Sequence, residues 1–202
     1  IGVVTKTGVG LKLASGLLEL SGGMLLPSMF LTMITAIVLG MGVPTTANYC
    51  IMASTTAPIL IAMHINPIAA HFFVFYFGIV ADITPPVALA AYAGSAIAKS
   101  NPMKTGVNAA KLAIAAFIVP YILAFNPIMV LEGVTGALEV GIVTITALVG
   151  LFGVGAALNG HLFTKINPVV RVLFVAAGLA MMVPGTLTDI VGLAGIVVLF
   201  ER

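Results

Sequence analysis

Charge is what this sequence has least of. Of 202 residues, eight are Lys or Arg and six are Asp or Glu, 7% in all, against roughly 25% in an ordinary soluble domain. The few charges are also unevenly spread. None falls among the 62 residues between Glu19 and Asp82, the 20 between Lys111 and Glu132, or the 25 between Glu139 and Lys165. With 61% apolar residues and a mean hydropathy of +1.24, the outside of a water-soluble fold would be one continuous apolar patch. Soluble globular, disordered, collagenous and disulfide-rich secreted classes are excluded. The chain is read as an integral, all-α membrane protein in a lipid bilayer. A net charge of +2, with only Lys99, Lys104 and Lys111 loosely clustered, excludes a nucleic-acid partner. The single cysteine, Cys50, permits no internal disulfide and reads as a buried, inert thiol. No G-x-S-x-G elbow occurs, and Gly40-Met41-Gly42 lacks the third glycine of a dinucleotide loop. The chain opens on Ile1, and residues 1–10 lack the pattern of a cleavable signal, so an amino-terminal portion is expected upstream.

A helix needs about 20 apolar residues to cross the hydrocarbon. Residues 11–20 form a short amphipathic helix, with Lys12, Ser15 and Glu19 opposite Leu11, Ala14, Leu17 and Leu18. Apolar helices are expected over Met24–Gly40, Ala47–Met63, Ile68–Val80 and Val87–Ala98. Beyond them come Ala109–Phe125, with a bend at Pro120, and Val134–Leu158, long enough to cross with tilt. Asn159–Pro168 reads as a polar turn. Val169–Val183 and Ile190–Phe200 are each short for a full crossing and make either a hairpin or one kinked pair. Lys6 and Lys12, the 99–111 loop, and Lys165 with Arg171 would all prefer the cytoplasm. They can agree only if some apolar stretches enter and leave on one side, which points to re-entrant hairpins.

Two interruptions carry the chemistry, Gly40-Met41-Gly42-Val43-Pro44-Thr45-Thr46 and Ala81-Asp82-Ile83-Thr84-Pro85-Pro86. Proline removes an N–H and clashes with the carbonyl four residues back. In hydrocarbon each orphaned acceptor costs several kcal/mol. Unwound backbone is tolerated there only where it lines a cavity or binds something. Carbonyls plus threonine hydroxyls suit a dehydrated Na⁺, and the helix start beyond each break suits an anion. Two such breaks in one bundle are expected of a secondary transporter.

Gly40-Met41-Gly42-Val43-Pro44-Thr45-Thr46-Ala47-Asn48-Tyr49 resembles a signature of the large membrane (M) subunit of tripartite ATP-independent periplasmic (TRAP) transporters. His71-Phe72-Phe73-Val74-Phe75-Tyr76-Phe77, followed by Ala81-Asp82-Ile83-Thr84-Pro85-Pro86-Val87-Ala88-Leu89-Ala90-Ala91-Tyr92, is similar to a second. Asn101-Pro102-Met103-Lys104-Thr105-Gly106 and Phe125-Asn126-Pro127 continue the likeness over about residues 7–132. It is closest to the fused type, in which the small and large membrane subunits share one chain, and residues 133–202 resemble that type's C-terminal extension. The resemblance implies a bacterial inner-membrane, multi-pass permease. It would import organic anions, commonly carboxylates, using a Na⁺ gradient, a periplasmic substrate-binding protein and a small membrane subunit, with no cofactor beyond the coupling ion. It further implies an elevator of two inverted repeats, with residues 1–132 as the second and residues 133–202 as an added transmembrane segment. By motif position, Gly40, Gly42, Thr45, Ala81, Thr84 and Val87 would be Na⁺ ligands, and Thr46 and Asn48 would face the substrate. Where some members have Gly, this chain has Ala81, and a left-handed backbone there would be strained.

Asp82 is the only formal charge between Glu19 and Lys99. It reads as a cap on the following helix, or as a proton or ion relay. Glu132 and Glu139 are expected at an interface. His64 and His71, with Pro67 between, lack partners for zinc; loop polarity explains the first and a hydrogen-bonded interfacial position the second. Two rivals to a permease are an intramembrane aspartyl protease using Asp82 and Asp189, and a non-transporting scaffold subunit. In the first, neither aspartate follows a Gly-x-Gly and Asp189 lies in a Pro-Gly-Thr turn that reads as loop, and the second leaves both broken segments without a purpose.

Overall fold

The computed structural model describes residues 6–160, 166–181 and 185–200. The middle of the turn expected after Asn159, including Lys165, lies outside them, as do Pro184 and the side chains of Leu11 and Ala14. Among the described residues there are helices and no strand. They fall into two compact units, one ending at Pro120 and the other beginning at Tyr121.

The first unit starts with α1 (Val9–Leu20), which turns Lys12, Ser15 and Glu19 outward and buries Leu17. It is followed by α2 (Leu25–Gly40), α3 (Thr45–Thr55), α4 (Ala57–Ala62) and α5 (Pro67–Val80). α5 is the centre. α2, α3 and α4 all pack on it, around fully buried Met29, Met52, Leu60, Phe73 and Phe77. A 3-10 turn (Ala81–Ile83) ends α5, and α6 (Leu89–Ile97) and α7 (Pro102–Leu112) form a packed pair beyond it. α8 (Ile114–Phe125) runs on after a one-residue interruption at Ala113, so 102–125 makes a 24-residue apolar stretch. Pro120 lies inside α8, and a separate one-residue interruption falls at Ala113.

The expected helix 47–63 is two helices. Pro58 has no N–H for the Ser54 carbonyl, and its ring crowds that carbonyl, so regular structure lapses at Thr56. The hydroxyls of Ser54, Thr55 and Thr56 donate back to the carbonyls of Ile51 and Met52 in the turn before the lapse, so their own protons are satisfied where water is scarce.

Corners are closed by a repeated device. At the end of α4, Ile65 N–H reaches the Leu60 carbonyl (3.1 Å) and His64 N–H the Ile61 carbonyl (3.0 Å), with His64 left-handed at φ 64°. This is a Schellman close, and it accounts for His64. Asn66 then caps α5 by accepting from Ile68 N–H and Ala69 N–H at 2.7 and 3.1 Å, with Pro67 as first helical residue, where no N–H is needed. Lys99 closes α6 the same way, and Asn101-Pro102 starts α7.

The second unit holds a 3-10 turn (Pro127–Val130), then α9 (Ala137–Asn159), α10 (Pro168–Ala180) and α11 (Thr186–Phe200). α10 and α11 each pack on α9 and fold back against one another, Ala177 lying beside Gly192 and Gly195. That resolves the pair as a hairpin. α9 is 23 residues long, about 35 Å at 1.5 Å per residue. Its outer face is Leu138, Ile142, Ile145, Leu148 and Phe152, all exposed, and its inner face is Ala147, Gly150, Gly153, Val154 and Ala157. Large residues outside and small ones inside invert the soluble pattern and suit a hydrocarbon surround. α2 does likewise, with Leu26, Phe30, Ile34 and Val38 exposed. Arg171 spends its charge within the unit, its guanidinium donating to the last carbonyls of α9 at Ala157 (2.7 Å) and Leu158 (2.9 Å). Glu139 does the converse at the other end of α9, accepting from Thr135 N–H (3.0 Å) and Thr135 hydroxyl (2.6 Å).

Backbones approach most closely at Gly178. A Cβ there would stand 2.6 Å from the Gly150 carbonyl oxygen and 3.2 Å from Val154 N, whereas one at Gly155 would meet nothing within 4 Å. Gly178→Ala should therefore destabilise by about 1–3 kcal/mol, the usual cost of overpacking, with Gly155→Ala close to neutral. Thermal melting of the chain in detergent measures both, and equal melting temperatures would contradict this packing.

Candidate functional site

The two interruptions meet in the first unit. α2 stops at Gly40 and α5 at Val80, and these two ends lie side by side. A Cβ on Gly40 would fall 3.0 Å from the Ala81 Cβ, 3.0 Å from the Gly78 carbonyl oxygen and 2.6 Å from Asn48 Nδ2. Asn48, one turn into α3, is wedged between the ends of α2 and α5. It is fully buried, and its Nδ2 donates to the Gly78 carbonyl at 3.2 Å. Its Oδ1 is buried with no hydrogen-bond partner. A Cβ on Gly78 would stand 2.7 Å from the same Nδ2, so both glycines are required by the space that Asn48 occupies.

At the first interruption the chain leaves α2 through Met41 in extended conformation, passes Gly42 at φ 75°, and enters α3 with Pro44 at the cap position. No side chain caps α3. Only a long Val43 N–H contact of 3.4 Å reaches the Gly40 carbonyl across this loop. Gly42, Thr45 and Thr46 are exposed, whereas Gly40 is buried.

At the second interruption Ala81 is buried, and Thr84 donates its hydroxyl to the Val80 carbonyl at 2.7 Å. That bond uses the hydroxyl proton and leaves the oxygen's lone pairs as acceptors. Thr84 N–H makes a 3.3 Å contact with the Ala81 carbonyl, and Ala88 N–H donates to the Thr84 carbonyl at 3.1 Å. Val87 is half-buried in this loop. The loop is held from outside by Tyr92, whose hydroxyl donates to the Pro86 carbonyl at 2.7 Å, and by Gly106 of α7, where a Cβ would stand 3.2 Å from the Pro85 ring.

Three expectations change on this geometry. Ala81 is right-handed, at φ −55° and ψ −33°, so a methyl group is tolerated there. The left-handed residue of this loop is Ala88, φ 37° and ψ 46°. Asp82 does not cap the next helix: the cap position of α6 is Ala88, which offers no side-chain acceptor. Asp82 sits half-buried in the 3-10 turn, and its carboxylate has no hydrogen bond or ion pair among the described residues. Asn48 lies in the interior, at the joint of the two helix ends, while Thr46, two residues earlier, remains on the outside. Gly78 was missed. Its signal is a lone glycine in the aromatic run Phe75-Tyr76-Phe77-Gly78-Ile79, the pattern of close backbone approach.

The histidines fit structural roles. His71 Nδ1 and the Tyr49 hydroxyl share a hydrogen bond of 3.1 Å, and Tyr49 also meets Phe75 edge-on at 5.6 Å. Among the described residues no group of three His, Cys, Asp or Glu could hold a metal. Asp82 belongs to the first unit and Asp189 to the second, so neither unit contains an aspartate dyad.

Neither the curated proteins nor the solved structures include a match to the chain. A family model does match: the tripartite ATP-independent periplasmic transporter, DctM component, over residues 1–138. That stretch contains both interruptions and every residue around Asn48. The family is one of transporter membrane components and not of enzymes, and the apolar, all-helical fold agrees with it. By that match the chain belongs to the DctM component family of TRAP transporters.

Proposed function

We propose that this chain is part of a Na⁺-coupled permease that imports organic anions, carboxylates foremost, delivered by a periplasmic substrate-binding protein. It acts in the bacterial inner membrane as a multi-pass protein, with a small membrane subunit as partner. Residues 1–132 serve as the second inverted repeat of an elevator and residues 133–202 as an additional transmembrane segment. The observation that carries the reading is the unpartnered, fully buried Oδ1 of Asn48 at the meeting point of two helix breaks. A buried acceptor with no donor costs about 1–3 kcal/mol. A small cation offsets that cost, and it would draw on the carbonyls that the breaks release.

Gly40, Gly42 and Thr45 supply ligands on one side, and Ala81, Thr84 and Val87 on the other. The Thr84 hydroxyl, already oriented by the Val80 carbonyl, turns its lone pairs to the ion. Because Asn48 bridges the end of α5 from within α3, an ion at either break stiffens the other. Thr46, exposed at the start of α3, faces the substrate, and the uncapped N–H groups of that helix start favour a carboxylate. Coupling then requires that ion and anion together stabilise one arrangement of the two breaks better than either alone. Asp82, half-buried and unpartnered, is placed to relay an ion or proton. The scarcity of other acids in the spans favours Na⁺ as the coupled ion.

Thr84→Ala removes one hydroxyl ligand. It should raise the Na⁺ activation constant for labelled-carboxylate uptake about tenfold, roughly 1.4 kcal/mol, in proteoliposomes holding the intact complex and its binding protein. Thr45→Val tests the first break in the same assay. An activation constant unmoved by both changes would remove the site assignment. Asn48→Leu, which keeps the branched four-atom side chain but removes the amide oxygen, should abolish Na⁺ activation while the protein still inserts and elutes as a single species.

A further inference from the structure

The second unit contains a cavity of about 530 Å³, within the size range of small-molecule sites. It lies where α9 and α11 begin, and most of its wall falls beyond residue 138, outside the family match. Ile122, Ile142, Val143 and Met181 make it largely apolar. Its polar lining is rich in acceptors. Asn126 is 3% exposed, and its Oδ1 is buried with no partner. Asp189 and Glu139 bring two carboxylates. The latter's Oε2 is taken by Thr135, which leaves Oε1 open to a donor among the described residues. The Thr146 hydroxyl donates to the Val143 carbonyl at 3.1 Å, so it too offers lone pairs. Among the described residues, no Lys, Arg or His lines the cavity.

The starts of α9 and α11 each contribute roughly half a positive charge. Two carboxylates outweigh them, and the field in the cavity is negative. An anion would be repelled, and a neutral apolar molecule would leave Asn126 unsatisfied. We propose that this cavity binds a small amphipathic organic cation, an ammonium group carried on an apolar body. The ammonium donates to Asn126 Oδ1 and pairs with Asp189, and the apolar body lies along Ile122, Ile142 and Met181. A free organic amine and the amine of an ethanolamine phospholipid share this chemistry. This site does not rest on the ion assignment proposed for the breaks of the first unit.

The test is equilibrium binding of radiolabelled octylammonium to the full chain in phosphatidylcholine nanodiscs, with octanol as the neutral comparison. Specific binding is the part removed by Ile142→Trp, which fills the cavity from an exposed position. Octylammonium should bind at least about tenfold more tightly than octanol, the margin of a charge-assisted hydrogen bond. Asp189→Asn and Asn126→Leu should each erase that preference, with melting temperatures reported alongside to show that the fold is kept. Equal binding of the two probes, or a preference that survives both substitutions, overturns the site. Replacing part of the lipid with phosphatidylethanolamine separates the sources. Competition assigns the cavity to the lipid amine and its absence to a free amine, and both uphold the cation site.

Discussion

Within hydrocarbon a peptide oxygen has no water to turn to, so every point where a helix stops must be closed by the chain itself or by something bound. Most stops here are closed by the chain. Asn66, Asn101 and Asn167 lend their side chains to the first N–H groups of the helices they precede. Left-handed His64, Lys99 and Gly160 fold the last carbonyls of α4, α6 and α9 back onto the backbone. Arg171 covers what remains at the end of α9. Against this background the junction of Gly40, Gly78, Ala81 and Asn48 stands out. There two helices end together, the side chain between them satisfies one carbonyl, and its own oxygen is left with nothing. On the proposed reading, a small cation is what completes that acceptor.

Features set by neighbours in the chain were legible from the sequence. Each Asn-Pro pair marked a helix start or turn, because Pro fixes φ and needs no donor while Asn accepts from the next turn. The extents of α2, α5 and α9 followed from apolar runs ended by Gly, Pro or Asn. Both interruptions were visible as Gly-Thr-Pro sequence inside apolar stretches. What escaped notice depends on contacts distant in the chain. Nothing local to Gly78 says that Asn48, thirty residues earlier, will occupy the space a side chain would need. The lapse at Thr56 was readable in principle from Pro58, but the apolar run on both sides hid it. Ala81 looked like a strained position because glycine was expected there, and strain depends on φ. The loop places its left-handed turn at Ala88 instead, once Tyr92 and Gly106 have set its path.

Packing in the second unit follows from the same solvent. Lipid tails are as apolar as leucine, so burying large side chains between helices gains little and close approach of backbones gains more. Gly150, Gly153 and Gly178 therefore face inward and the leucines and isoleucines of α9 face out. A glycine-lined contact is also unforgiving, since a single methyl group at Gly178 has backbone on the other side of it.

The placement of charge separates structure from chemistry. Glu139 lies in the first turn of α9 and is engaged by Thr135, and Arg171 lies against the last turn of the same helix. Each meets the helix end whose dipole favours it, so capping accounts for both. Asp189, in the first turn of α11, has the favourable dipole but also faces a cavity with no basic side chain among the described residues. Asp82 has less still. It rides on a three-residue turn whose dipole is small, and it caps nothing. In a low dielectric an acid retained without a structural partner is costly. Asp82 sits in the turn that follows Gly78, whose carbonyl Asn48 binds, and Asp189 lines the cavity with Asn126. The cation proposed for each unit answers an unfilled amide oxygen there, and at the cavity a carboxylate as well.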